Sequence, residues 1–411
     1  MRSTRSRHLI GRVGGILIVV ASLVGSAFAA STPKVIYSFM GGSDGEYTDT
    51  ELVVDGAGNL YGTSVQGGTF GGGTVFELSP SASGWTHTVL YNFTGGADGG
   101  EPYKGVTLDA HGDLYGTAVT GGGGSCEGGC GVVYQLTNSG GIWTQSVIHA
   151  FKGSDGSGPG SPVTVDAQGN LYGTTPTGGA TGFGVIYEMK PGDGSWSFKV
   201  IHTFTGGIDG LGGSASRMLL DAAGNLYGVN TVGGATGFGN VYKLSRSAGS
   251  WNLTTIYSFQ DQPDGASPYG GVIFDKDGNL YGTTYYAGVN DVGTVYKLTR
   301  SNGSWTESVL YSFKGGSDGD SPISTLVTDA KGNLYGTTSD GGAAKCGCGT
   351  IFKLTRGVGG NWTESVMYRF PGAPKAGFAY NGIVSDGKGN FYGATVHGGT
   401  GNDGAIYQFA P

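Results

Sequence analysis

The sequence predicts an all-β fold: a seven-bladed β-propeller of four-stranded antiparallel blades, its ring closed by an N-terminal strand at 35–39. Three observations predict it. The phrase "GNLYGTT" at 169–175 recurs with small changes around Asn59, Asp113, Asn170, Asn225, Asn279, Asn333 and Asn390, at spacings of 54, 57, 55, 54, 54 and 57 residues. Each copy carries short runs rich in Val, Ile, Tyr, Phe and Thr bounded by Gly, Asn or Ser, and no stretch of the mature chain has a convincing helical period. The chain opens on a lone fourth run and ends on a unit that lacks one, so its two ends make a single whole unit.

The elements follow in chain order. "MRSTRSRHLIGR" is a positive n-region and "VGGILIVVASLVGS" an apolar h-region, and Ala27-Phe28-Ala29 offers small residues where a signal peptidase looks. Residues 1–29 therefore read as a signal peptide cleaved after Ala29, and 30–411 as one propeller. An uncleaved anchor is the alternative, but the apolar run is barely long enough to span a bilayer and is broken by Gly and Ser. The export signal implies a protein outside the cytoplasm: extracellular, on the cell surface, or periplasmic. No membrane contact is expected beyond the signal, and a monomer is expected.

"VIYSF" at 35–39 is the lone strand d. In each unit strand a then reads as "GVTLD", strand b as "NLYGTT", strand c as "VVYQL" and strand d as "W…VLYSF". The a–b link, D-x-x-G-N, places Asp first and Gly fourth, as a type I turn followed by a left-handed residue requires. Asp55, Asp109, Asp166, Asp221, Asp275, Asp329 and Asp386 open these turns, where a carboxylate accepts backbone N–H groups of its own turn. Six tryptophans (85, 143, 196, 251, 305 and 362) open the internal d strands, and the closing one has none. Strands b and d are expected to be apolar or small on both sides. The glycine of "LYG" is expected to make room for a ring from the Tyr/Phe pair that ends strand d.

Composition excludes several classes. Glycine, at 86 of 411 residues, lacks the collagen period, and 11% aromatics at regular places argue against a flexible linker. Charged residues are only 13% and the net charge is -7, with no basic stripe in the sequence, so nucleic acid is a poor partner. The four cysteines form two tight pairs, Cys126/Cys130 and Cys346/Cys348, in the same loop of two units, and after export a local disulfide in each is the simplest reading. A zinc site of all four thiolates would need loops of separate blades brought together.

The string D-x-x-G-N-L-Y-G-T-T-x-x-G-G, then G-T-V-Y-K-L, then L-Y-S-F-x-G-G-x-D-G resembles the GloVer tandem-repeat family of exported bacterial proteins, over residues 35–411. The resemblance implies a secreted or surface propeller-like repeat protein and brings no catalytic residues. Members often end in a surface-sorting tail. Pro411 lies just past the last strand here, so no such anchor is expected. The Gly-Gly doublet followed by Tyr and Trp is also similar to kelch repeats.

Residues shared by all units read as scaffold, and blade-specific residues as candidates. His149 and His202 occupy the place of Tyr37, Tyr91, Tyr257, Tyr311 and Tyr368, where a packed role is expected. The Asp-Gly pairs between strands d and a carry Asp44, Asp98, Asp155, Asp209, Asp264 and Asp318. Turn building is the bland reading and a Ca²⁺ or sugar site the sharp one. No G-x-S-x-G, H-E-x-x-H or EF-hand spacing is present. Propeller topology puts loops d–a and b–c on one face. There the position ending strand b reads Gln66, Thr120, Thr177, Val232, Tyr286, Asp340 and His397. Together with Glu101, Tyr103, Lys104, Asp291 and Asp403, the residues Gln66, Tyr286, Asp340 and His397 form the candidate ligand-binding set. Glu46, Tyr47, Arg217, Tyr269 and Tyr285 lie nearby. The reading is a non-catalytic binding or scaffold propeller for a glycan, protein or envelope component, with no cofactor. The alternatives are a polysaccharide lyase or glycosidase using Asp340, Asp403 or Glu101 with His397 or a tyrosine, and a purely structural envelope protein.

Overall fold

The structure, a computed structural model, describes residues 32–213, 216–342 and 346–411; the signal read over 1–29 lies outside the described residues. Seven sheets follow one another around an axis, each built of strands a to d in chain order from the inside out. In blades 1 to 7, strand b is Leu60–Ser64, Leu114–Ala118, Leu171–Thr175, Leu226–Asn230, Leu280–Thr284, Leu334–Asp340 and Phe391–Thr395. Strand c is Thr74–Ser81, Val132–Ser139, Val185–Pro191, Asn240–Ser247, Thr294–Ser301, Thr350–Arg356 and Ala405–Phe409. Strand d of blades 1 to 6 is Gly84–Asn92, Ile142–Ala150, Trp196–Thr203, Ser250–Ser258, Ser304–Ser312 and Trp362–Arg369. The ring closes as the sequence predicts. Lys34–Ser38 pairs antiparallel with Ala405–Phe409, Lys34 opposite Gln408 and Ser38 opposite Ala405, and so supplies strand d of blade 7. Helix among the described residues is confined to three 3₁₀ turns of three residues, and none could cross a membrane.

Strand b is buried along its length in six blades, and in blade 6 up to Ser339 with Asp340 half-buried, as expected of a strand flanked by neighbouring blades. Strand d departs from expectation. It is the outermost strand, and its first half alternates exposed and half-buried residues because one face meets water. Strand a is only two residues in five blades, such as Val53–Val54 and Thr164–Val165, three in blade 7 (Ile383–Ser385) and five in blade 2 (Lys104–Leu108). Near the axis its polar groups bond across to the next blade instead of along the ladder. Thr107 Oγ1 donates to Val163 O, and Thr164 Oγ1 donates to Met218 O at 2.6 Å.

The "LYG" glycine is covered differently from the expectation. The ring over it comes from strand c of the same blade, directly opposite in register: Gly116 faces Tyr134 and Gly173 faces Tyr187. A Cβ at Gly173 would lie 2.2 Å from the Tyr187 hydroxyl, so any side chain there collides. The phenylalanine that ends strand d then packs edge-on against the strand c ring of the following blade. Phe93 meets Tyr134 at 4.9 Å and Phe259 meets Tyr296 at 5.0 Å. Five of the six tryptophans likewise meet the strand b tyrosine of the blade before, as Trp251 does with Tyr172 at 5.9 Å; at the junction of Trp305, Tyr227 meets Phe274 instead, at 5.1 Å. The core is thus a set of slabs between blades. In one of them Tyr61, Val75 and Phe93 of blade 1 pack on Val106, Leu114 and Tyr134 of blade 2.

The a–b turns are built as read. Asp166 accepts from Gln168 N–H and Asn170 N–H, both at 2.9 Å, and from the Asn170 side-chain amide; Tyr172 adds its hydroxyl at 3.0 Å. Cys126–Cys130 and Cys346–Cys348 are each disulfide-bonded, in the b–c loops of blades 2 and 6.

Candidate functional site

Strand d carries a bulge in every blade, one residue before the tyrosine or histidine, as between Val147 and His149. The bulge turns that side chain toward the d–a turn. There the Asp of the Asp-Gly pair receives it. Tyr91 donates to Asp98 at 2.9 Å, Tyr257 to Asp264 at 2.5 Å, and Tyr311 to Asp318 at 2.9 Å. His149 and His202 make the same contact with Asp155 and Asp209, each at 3.2 Å, and burial holds both imidazoles below their usual pKa. Backbone N–H groups of Thr94, Lys152 and Lys314 fill further sites on Asp98, Asp155 and Asp318. Asp44 takes Tyr37 and Met40 N–H in the same way, with His87 Nδ1 at 3.3 Å. These six carboxylates therefore work inside their own turns, and among the described residues no cluster has metal-ligand geometry.

The loop after each Asp-Gly pair builds the candidate face. Three residues after that Asp, or after Lys375 in blade 7 where the pair is lacking, five blades place a non-glycine residue with left-handed φ: Tyr47 (55°), Glu101 (56°), Ser267 (54°), Ser321 (57°) and Phe378 (61°). The geometry is held because that residue's N–H bonds to the b–c loop of the preceding blade. Tyr47 N–H reaches Asp403 O, Glu101 N–H reaches Gly72 O, and Ser267 N–H reaches Phe238 O. The residue before it pairs with the end of strand b: Glu46 with Gln66, Ala266 with Tyr286, Gly377 with His397, and Asp320 with Asp340. The blade-specific positions chosen from sequence thus lie on one face, held by an inter-blade clasp.

Three groupings result. The first is the mouth of the axis, a narrow well of about 20 Å³ with room for one water, lined by Glu51, Lys104, Ser216, Ser324, Thr325 and Asn381, with Tyr269 and Tyr380 on its rim. Its charges are already paired. Lys104 Nζ reaches Asp49 at 2.6 Å and Asn381 at 3.0 Å, and Arg217 reaches Glu51 at 3.8 Å and donates to Thr107 Oγ1 at 2.6 Å. Burial pushes the Glu51 carboxyl up against the opposing pull of Arg217 and Lys104. Tyr103 lies half-buried within the influence of Asp49 and Glu101, which with burial raise its phenol.

The second is aromatic. Tyr269 and Tyr285 stand 5.4 Å apart, and Tyr285 and Tyr286 stand 4.4 Å apart edge to face. Tyr286 and Tyr269 are 53% and 40% exposed, which leaves their rings open to a ligand. Burial raises the Tyr286 and Tyr380 phenols, Tyr285 and Tyr269 push Tyr286 further, and Asp340 adds to both; Asp340 accepts from Ser339 Oγ at 2.6 Å.

The third sits at the junction of blades 7 and 1. Tyr47 meets His397 edge to face at 5.4 Å. A Cβ placed on Gly41 would lie 2.8 Å from Asp403 Oδ2 and 3.4 Å from Glu46 Oε1, so the two carboxylates flank one glycine. Burial and Glu46 raise the Asp403 carboxyl, while His397 opposes the rise. Glu101 stays outside all three groupings by contact, and Asp291 is exposed at the b–c loop of blade 5. Asp49 and Asn381 escaped sequence reading because they stand at different places in the repeat, Asp49 matching Tyr380 and Asn381 matching Thr50, and meet only across the ring.

None of the curated proteins matches the sequence. A family model described as the Gloeobacter/Verrucomicrobia repeat matches residues 122–347 and 252–411. Among solved structures, the extracellular domain of a protein described as a one-component system from B. thetaiotaomicron is 9% identical and superposes with a TM-score of 0.55, over 90% of this chain and 39% of that one. A protein from Lactobacillus plantarum is 14% identical with a TM-score of 0.51, over 86% of this chain and 99% of that one. At such identities the likeness is one of fold.

Proposed function

The chain belongs to the Gloeobacter/Verrucomicrobia repeat family, and we propose that it acts as an exported, non-catalytic propeller that binds a carbohydrate across the tyrosines of blade 5. One observation carries the reading. Tyr269, Tyr285 and Tyr286 form an open aromatic shelf beside an axial mouth whose charged groups are already paired with one another. Such a surface offers ring faces for sugar C–H groups and fixed polar atoms for hydroxyls. The apolar run after the basic N terminus supports export.

A thermal-shift screen of neutral oligosaccharides tests it. A ligand at about a hundred times its dissociation constant adds about 2.7 kcal/mol. The expected result is a shift with one glycan class that the Tyr269→Ala/Tyr286→Ala variant loses. No shift with any glycan, or one that survives the double substitution, sinks the reading.

The alternative, glycoside hydrolysis, draws on the carboxylates of Asp403 and Glu46 beside His397, since a pair of nearby carboxyls is what that chemistry uses. Polysaccharide turnover abolished by Asp403→Asn would favour it over simple binding.

A further inference from the structure

On the opposite face, the grooves between blades differ in one respect. One residue after its ring, strand c carries Glu77, Gln135, Glu188, Lys243, Lys297, Lys353 and Gln408 in blades 1 to 7. Four residues after it come Pro80, Asn138, Pro191, Arg246, Arg300, Arg356 and Pro411. The second position of one blade reaches the first position of the blade before. Arg246 of blade 4 makes a direct ion pair with Glu188 of blade 3.

At the next two junctions that acid is replaced by lysine. Arg300 shares a groove of about 510 Å³ with Lys243 and Trp305. Arg356 and Trp362 line a groove of about 380 Å³ that also holds Tyr281, and Lys297 sits 5.4 Å above the Tyr281 ring. Among the described residues no ion pair reaches Arg300 or Arg356. Cations placed together in this way repel unless an anion joins them. Lys331 adds positive charge at the second groove, and Lys276 there is paired with Asp277 at 2.8 Å.

We propose that the grooves between blades 4 and 5 and between blades 5 and 6 form a binding strip for an acidic polysaccharide, whose anionic groups take the place that Glu188 fills beside Arg246. A guanidinium receives a carboxylate or sulfate in a two-point contact, and the adjacent tryptophan gives a sugar ring a flat neighbour. Asp275, Asp277 and Asp329 line the second groove too. Carboxylates accept from sugar hydroxyls, but they repel a polymer as densely charged as nucleic acid, which carries one charge per about 1.7 Å.

The test is affinity electrophoresis of the full mature chain through gels holding polygalacturonate, dextran sulfate or uncharged dextran, with a DNA oligonucleotide measured by anisotropy. Retardation is expected with at least one acidic polysaccharide and not with dextran, and it should weaken as salt rises. The two acidic gels separate carboxylate from sulfate recognition. Lys243→Glu/Lys297→Glu rebuilds the blade 3 to 4 arrangement, so it should fold with an undiminished melting temperature yet bind at least about 10-fold more weakly, the loss of one charge-assisted contact or more. Arg300→Gln/Arg356→Gln should lose binding as well, while Tyr269→Ala/Tyr286→Ala should keep it, which separates this strip from the tyrosine shelf. Three results overturn the proposal: no retardation by either acidic polysaccharide, unchanged binding in both charge variants, or tighter binding to DNA than to the polysaccharides.

Discussion

Glu307 of blade 5 and Glu364 of blade 6 sit at a variable strand d position that faces the Asp of the preceding blade. Burial, with Asp264 beside it, pushes the Glu307 carboxyl up to about 8; burial, with Asp318, pushes Glu364 up to about 7. One oxygen of each has no partner. A carboxyl raised above its unfolded value of about 4.3 favours the folded state fully at low pH, and that stability is lost as pH rises toward the folded value. The window for Glu307 therefore runs from about pH 4 to pH 8. Glu307→Gln should stabilise the protein by about 1 kcal/mol at pH 8.5, after allowance for solvent screening, and by nothing at pH 4. Denaturant melts at both pH values check this, and an equal effect at both would refute the buried-acid account. His87, Gln145, Phe198 and Leu253 stand at the same position in blades 1 to 4. Its partner is the preceding blade's Tyr–Asp pair for His87, Glu307 and Glu364, whereas Phe198 stacks 3.7 Å from His149.

At the scale of the element, each a–b hairpin rests on a single carboxylate. Asp166 holds two backbone N–H groups, the Asn170 amide and the Tyr172 hydroxyl. Asp166→Ala should cost about 2 kcal/mol in an equilibrium melt, because buried and half-buried donors lose a charged acceptor. A cost near zero would mean that the Asp builds no turn. This hairpin was legible because all its partners lie within six residues of one another. The d–a clasp was less so. Its turn signal, Asp-Gly, is local, but the bond from Tyr47 N–H to Asp403 O joins residues at opposite ends of the chain. The covering of the "LYG" glycine was misread for a related reason. Both strand c and strand d offer aromatic rings, and only the register, with Gly173 opposite Tyr187, decides which one lies over it.

At the scale of the molecule, stability depends on the ring being closed. Strand Lys34–Ser38 completes blade 7, and Phe39 just beyond it is fully buried against Phe76 of blade 1 at 5.1 Å. Removing 34–39 should cost at least about 4 kcal/mol, the usual range for losing one buried phenylalanine, and should break the single cooperative melt. Retained stability would refute closure. The sequence by itself determined the number of blades, the strand order, the closing strand and the a–b turns, since a period of about 55 residues and local turn chemistry set them without reference to distant contacts. Only the tertiary structure decided which side chains share a site. Asp403 comes beside Glu46, Lys104 beside Asn381 and Arg300 beside Lys243 because a closed ring places each blade against the next, and the charge a residue meets there is set by its neighbour across the junction.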